Sequence, residues 1–479
     1  MQITKRYGFR SAFLVASVAL LLGGSTTACG GSQTAGGGAG TAGGPTDSQG
    51  NAINKAAQSA YKDGLAKMKA HDRANDWTDA ECEATAALFV KADEEQDGGL
   101  LRAQYNAGVA HQRCKHDEKA KEYFSSILSK DEKFHRARVQ VALYEYAKTK
   151  DIEKAIGEMK QAITDAEFKN EEALVNLAIF QMTRDSDQGD SGCDDDFACA
   201  KLNLQRALAI NDSFMPAFNQ LAVYYLQSAK KQAGAKQKKT AKAGGAERSQ
   251  VNTQALELAA LVCSQALRKN PDYAPVHNTS GLISAELGDL SSAARAFGLA
   301  RKLDKKFFEA HMNYAAVNLK FRGFEQAKTA YEDAIKLKPN DYEAYLGLAL
   351  AVRGLITPQN EKANVAEAEK YLQKAKSLEP ERPETYYNEA ILTQEFKARE
   401  GGVKAEPTLM QAKSLFEEFT KKAEAKGGFD DTVARAKERM EEIDQIIAFN
   451  KQTAEMQKQM ELMKKQQEAR EQLEKDQKK

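Results

Sequence analysis

The sequence predicts an all-α protein, a solenoid of stacked helical hairpins ending in a long C-terminal helix. Three observations predict it. Gly281, Ala315 and Ala349 stand 34 residues apart, as do Ala266, Ala300 and Ala334, and self-similarity at such a period marks a repeat architecture. Each period holds two amphipathic helical patterns around a short polar turn such as Leu287-Gly288-Asp289. The composition, 42% hydrophobic and 29% charged with nine prolines in 479 residues, suits a mostly helical chain that lengthens without adding separate cores.

Residues 1–28 read as a signal peptide. Lys5, Arg6 and Arg10 form a basic start, and an apolar run from Ala12 to Leu22 follows, too short to span a bilayer. Gly23-Gly24-Ser25-Thr26-Thr27-Ala28 then leads to Cys29. This stretch resembles bacterial lipoprotein precursors, although Thr26 stands where that family usually has leucine. The resemblance implies cleavage before Cys29 and its acylation, and Gly30 in place of aspartate implies the outer membrane, with the folded body in the periplasm. Residues 29–51 carry the acylated cysteine and a glycine-rich tether with almost nothing to bury. As a random coil, residues 30–50 would reach about 25 Å.

Residues 52–100 carry helical patterns too (Ala56, Ala60, Tyr61 and Leu65, then Trp77, Ala80, Ala84 and Leu88), either a cap or a degenerate first repeat. In both readings the only tryptophan packs against the next repeat.

Residues 101–423 form the array. Small residues at position 8 of the unit (Gly281, Ala315, Ala349) and position 20 (Ala293, Ala327) let paired helices approach. Larger ones at position 24 (Phe297, Tyr331, Leu372) fill the gap beside them, and prolines at position 32 (Pro271, Pro339, Pro380) stop the second helix. Earlier units fit as Gly108/Ala120/Phe124 and Leu143/Ala155/Met159. Ala178 pairs with Ala200, Ala222 with Ala259 and Ala390 with Ala412 only if the intervening turn is enlarged. Enlarged turns are therefore expected near 184–197, 228–254, 354–366 and 394–410. The pattern resembles the tetratricopeptide repeat, which implies a right-handed superhelix. Residues 424–479 should be a capping helix continued by a charged helical tail, with Met440, Ile443 and Ile447 on one side and Met456, Met460 and Met463 extending the stripe. Whether that tail is free or forms a coiled coil is left open.

Lysine plus arginine (69) balances aspartate plus glutamate (68), so charge gives no reason to expect nucleic acid. There is no GxSxG, HExxH, phosphate loop or paired CxxC. No enzyme activity, cofactor or small-molecule substrate is expected. His71, His111, His116, His135, His277 and His311 are scattered, with the last two at position 4 of successive repeats, and none is expected to bind metal. Cys193 and Cys199 bracket an aspartate-rich insertion and should form a disulfide in an oxidising compartment. Pairing of Cys82 with Cys114 is left open, and Cys263, at position 24, reads as a buried small hydrophobe.

What remains is a binding surface. Asn106, Asn176, Asn313 and Asn388 recur at position 6, with Gln220 equivalent. In the tetratricopeptide family this position commonly faces the concave groove. The resemblance implies partner contacts from Asn278, Leu282, Asn313, Ala316 and Lys320 on the first helices of two adjacent units. A second candidate is the basic stretch 228–250, with Lys230, Lys231, Lys236, Lys238, Lys239, Lys242 and Arg248, expected to be mobile and attractive to anionic surfaces. The whole arrangement resembles tetratricopeptide lipoproteins of adventurous gliding-motility machinery, implying a scaffold among envelope proteins. An assembly lipoprotein for outer-membrane or secretin proteins is the alternative.

Overall fold

The computed structural model describes residues 46–74, 76–190, 192–242, 253–398 and 402–477, with side chains at all of them except 232–242, 403 and 471–477. Among these, the chain divides into two compact units, one ending at Asp289 and the other running from Leu290. The first contains α1 (Lys55–Ala74), α2 (Asp79–Glu94), α3 (Leu101–Arg113), α4 (Asp117–Lys130), α5 (His135–Thr149), α6 (Ile152–Asp165), α7 (Glu171–Arg184), α8 (Asp196–Ile210), α9 (Met215–Lys242), α10 (Thr253–Lys269) and α11 (Ala274–Glu286). The second contains α12 (Leu290–Leu303), α13 (Phe308–Lys320), α14 (Phe324–Leu337), α15 (Tyr342–Gly354), α16 (Glu361–Leu378), α17 (Pro383–Leu392), α18 (Glu406–Lys426) and α19 (Asp430–Gln477). Consecutive helices pack as hairpins that stack on their neighbours, an all-α tetratricopeptide-type solenoid in each unit.

The small residues do what their spacing predicts. A Cβ added to Gly108 would lie 2.7 Å from the ring of Phe124, which is fully buried, so only glycine lets α3 sit this close to α4. Ala120, Ala293, Ala327 and Ala412 are likewise fully buried at position 20. Each buried aromatic at position 24 stabilises its hairpin by roughly 1.5–3 kcal/mol through area removed from water. Polar ends set the helix starts: Asp151, Asn170 and Asp341 accept the N–H of Lys154, Ala173 and Ala344 at 2.9–3.0 Å. In the tight turns within each unit a left-handed residue reverses the chain: Lys115, Lys150 and Arg322 take that conformation despite their side chains.

Residues 55–94 form a hairpin with the same internal contact as the units that follow. A Cβ on Gly64 would lie 2.8 Å from the buried Phe89 ring, repeating the relation of Gly108 to Phe124. Trp77 lies half-buried in the turn between α1 and α2, its indole N–H donating to Asp72 at 2.9 Å while Arg113 of α3 reaches the same carboxylate at 2.8 Å.

The insertions lengthen helices more than they lengthen turns. Residues 228–242 continue α9 as helix, where the composition predicts a mobile loop. The alanine and lysine that dominate this stretch are strong helix formers, and α9 already supplies the nucleus, so extension costs no new initiation. Residues 361–366 belong to α16, and a π-turn (Thr393–Lys397) and a short 3-10 helix (Gly402–Ala405) occupy much of 394–410. The insertion before α8 is an irregular loop closed by the Cys193–Cys199 disulfide, with Cα atoms 5.2 Å apart. Arg184 pins its exit by donating two hydrogen bonds to the Asp196 carboxylate at 2.7 and 2.8 Å. Burial pushes the Asp196 carboxyl up, but Arg184 and the Ser186 N–H hold it below its usual range. A second disulfide joins Cys82 to Cys114 across α2 and the end of α3, Cα atoms 6.3 Å apart. Cys263 is a buried free thiol, and burial pushes it up to about 12.

The first turns of α19 close the second unit. Val433, Ala436, Ile443 and Ile447 join a core with Leu409, Phe416 and Phe419 of α18. Ion pairs Lys413–Asp444 (2.7 Å) and Lys451–Glu406 (2.7 Å) flank that seam. From residue 455 to residue 470 every side chain of α19 is exposed.

Candidate partner-binding surfaces

The position-6 side chains do not form an exposed row. Asn176, Gln220, Asn278, Asn313 and Asn388 are buried, as are Leu282 and Ala316; Asn106 is half-buried, and of this set only Lys320 is exposed. This corrects the expectation that they are surface residues. The reason is the closeness of neighbouring first helices. An amide under an adjacent helix turns back onto its own backbone, as Asn176 does by donating to the Glu172 carbonyl at 3.0 Å and Asn388 to Glu384 at 2.8 Å. Asn388 also accepts from Arg353 at 3.1 Å, and Asn106 donates to the Tyr61 hydroxyl at 3.0 Å.

Beside this row runs a polar ladder across three first helices. Gln112 of α3 donates to Gln140 of α5 at 2.8 Å, and Gln140 donates to Glu172 of α7 at 2.5 Å. Burial pushes the Glu172 carboxyl up to about 7, against the pull of Arg136 and with Glu171 adding to the rise. The Oε1 of Gln112 and Oδ1 of Asn176 are buried and meet no donor among the described residues.

The basic stretch is partly committed within the protein. Lys230 pairs with Glu286 at 2.7 Å, and Lys231 pairs with Asp185 and sits 5.0 Å over the Phe197 ring. Lys236, Lys238, Lys239 and Lys242 lie on α9, and Arg248 lies outside the described residues.

His277 and His311 serve their own turns. Each ring Nε2–H donates to the carbonyl six residues earlier, Pro271 at 2.7 Å and Lys305 at 3.1 Å. His111 and His116 instead meet each other and Glu83. Sequence reasoning misses that grouping, whose only trace is a pair of histidines five apart across a helix end.

A row of exposed apolar side chains runs along α19. Phe449, Met456, Met460 and Met463 are 68%, 54%, 52% and 62% exposed. With Ile446 and Thr453 they follow the three-and-four spacing of a heptad seam. The residues flanking that seam are mostly uncharged (Gln452, Gln457, Gln459, Gln466). The pair Glu461–Lys465 lies outside it, at 2.9 Å. Among the described residues no helix is long and apolar enough to cross a membrane.

No protein-family model matches the chain, and no curated protein does. Solved structures do. A thermophilic tetratricopeptide protein of Thermus thermophilus is 21% identical, covering 46% of this chain and 99% of its own, with a TM-score of 0.36. A tetratricopeptide repeat protein of Parabacteroides merdae is 15% identical over 64% of this chain and 98% of its own, TM-score 0.37. The pilF protein of Pseudomonas aeruginosa is 18% identical over 56% and 99%, TM-score 0.38.

Proposed function

We propose that the protein is a non-catalytic scaffold that holds protein partners in a membrane-attached envelope complex. The observation that carries the scaffold reading is the apolar row on α19. Four large side chains stand exposed along one face, and each would gain roughly 1.5–3 kcal/mol on full burial. Methionine is suited to such a face because its unbranched, polarizable side chain adapts to varied surfaces. The three-and-four spacing matches an amphipathic helix of another protein. The earlier turns of α19 anchor this row on α18 through Val433, Ala436, Ile443 and Ile447, and all-helical repeat arrays of this kind generally bind protein and do not catalyse.

Location is part of the same proposal. The run ending in Ala28-Cys29 supports a lipid anchor at the outer membrane with the body in the periplasm, and the two disulfides fit an oxidising compartment. The glycine-rich tether and insertion-bearing repeats support a place in gliding-motility machinery.

The test is a pull-down from envelope extracts with the full chain, comparing wild type with Met456→Glu combined with Met460→Glu. Those side chains are exposed, so helix content and melting should hold while a specific partner is lost. Retention of every partner would reject the α19 surface. Co-purified subunits of a trans-envelope machine would support motility; barrel or secretin subunits would indicate an assembly role. Independently, Cys29→Ser should move the protein from membranes to the soluble fraction, and unchanged fractionation would refute the anchor.

A further inference from the structure

We propose that Glu83, His111 and His116 form a binding site for a divalent transition-metal cation of the zinc class. The three ligand atoms already form a compact triangle. His111 Nδ1 and His116 Nδ1 are 3.4 Å apart, and Glu83 Oε1 is 4.0 Å from the first and 3.9 Å from the second. Zinc bonded at about 2.0–2.1 Å in a tetrahedron separates its ligands by about 3.3–3.4 Å. The two imidazoles are thus at coordination spacing, and the carboxylate must close by about half an ångström. Glu83 is exposed and has the freedom to do so.

A second observation points the same way. His116 Nε2 lies 3.1 Å from the Asp79 carboxylate. A carboxylate only accepts, so Nε2 carries the proton and the Nδ1 lone pair faces the triangle. Fixing the tautomer through a carboxylate on the far nitrogen is how proteins orient metal-binding histidines. His111 is held as well, buried and stacked on Tyr123 with centroids 5.6 Å apart.

The backbone explains why the groups meet. At the end of α3 the N–H of His116 donates to the His111 carbonyl at 3.0 Å and that of Lys115 to Gln112 at 3.1 Å, with Lys115 left-handed at φ 59°. This closing turn lays His116 beside His111. The Cys82–Cys114 disulfide then ties the residue before Glu83 to the segment between the two histidines. Both ligand-bearing elements are fixed before any ion arrives, which lowers the ordering cost of binding. Lys119 is the competitor: its ammonium holds Glu83 Oε1 at 2.6 Å, but it is exposed on a long flexible stem and can yield to a divalent ion. With three protein ligands and the Glu83 side open to solvent, the fourth position goes to water, and imidazole with carboxylate suits zinc.

The experiment is a zinc titration of tag-free, oxidised full-length protein against a chromogenic chelator, with cobalt substitution read by visible absorption. Wild type should take up one tight equivalent. His116→Ala and Glu83→Gln, both at accessible positions, should each weaken that equivalent at least tenfold with helix content and disulfides unchanged. Lys119→Gln should tighten it several-fold by removing the competing charge. Should no tight equivalent appear, or should all variants bind zinc like wild type, the cluster is an ion-pair network and the proposal falls.

Discussion

Replacing Glu172 by glutamine should stabilise the protein at neutral and alkaline pH and leave it nearly unchanged below about pH 4. Glu172 ends the ladder that begins at Gln112, and its carboxyl is pushed from the ordinary 4.5 up to about 7 by burial. For an acid raised in the folded state, the native protein holds a proton that the unfolded chain has released. Stability therefore falls as pH rises from about 4.5 through 7 and then levels off. A tenfold change in an acid's dissociation constant corresponds to about 1.4 kcal/mol, so ionising Glu172 in place costs up to about 3 kcal/mol. Glutamine keeps the carbonyl that accepts from Gln140 and never ionises. Urea unfolding followed by circular dichroism at intervals from pH 4 to 9 gives the comparison. The wild-type and Glu172→Gln curves should nearly coincide at pH 4 and separate progressively above about 4.5, the variant leading by up to about 3 kcal/mol at pH 8. Parallel curves, or a variant that is weaker at pH 8, would refute the reasoning.

Two further outcomes test the packing. Gly108→Val should lower stability by about 3 kcal/mol, because the added atoms meet the buried Phe124 ring; a melting temperature equal to wild type would show that α3 and α4 are less tightly apposed than described. Arg184→Ala should cost about 3 kcal/mol at neutral pH by leaving the buried Asp196 carboxylate without its guanidinium. The depressed Asp196 acid contributes above its ordinary range and loses that contribution as pH falls below about 3.8. The Arg184→Ala defect should accordingly shrink on acidification, and a defect that is constant from pH 7 to pH 3 would remove the ion pair from the account.

The repeat core was legible because a fixed period forces the same contact each time: Ala293, Ala327, Phe297 and Tyr331 are buried where their spacing places them. Gly64 and Phe89 make the same contact across a longer connection, and the broken spacing hid it. Composition misleads at 228–242, where a run rich in lysine and alanine continues an existing helix. At position 6 the sequence shows which helix face a residue occupies but not how near the next helix lies, so Asn176 and Asn313 read as surface groups although they are buried. The Cys193–Cys199 bridge was readable from six-residue spacing in an acidic insertion. Cys82–Cys114 and the Glu83, His111 and His116 grouping depend on α2 lying against the end of α3, which no local pattern encodes.

The thiol of Cys263, the one unpaired cysteine among the described residues, gives the solenoid a built-in gauge of its own breathing. With the other four described cysteines locked in pairs and this one buried in the α9–α10 hairpin, an alkylating reagent finds nothing to modify in the closed hairpin. Its reaction requires the hairpin to open and the sulfur to regain its thiolate in water. The modification rate thus counts excursions of one hairpin in the interior of the array, without a label and without unfolding the rest. A partner that clamps those helices would announce itself by slowing the clock.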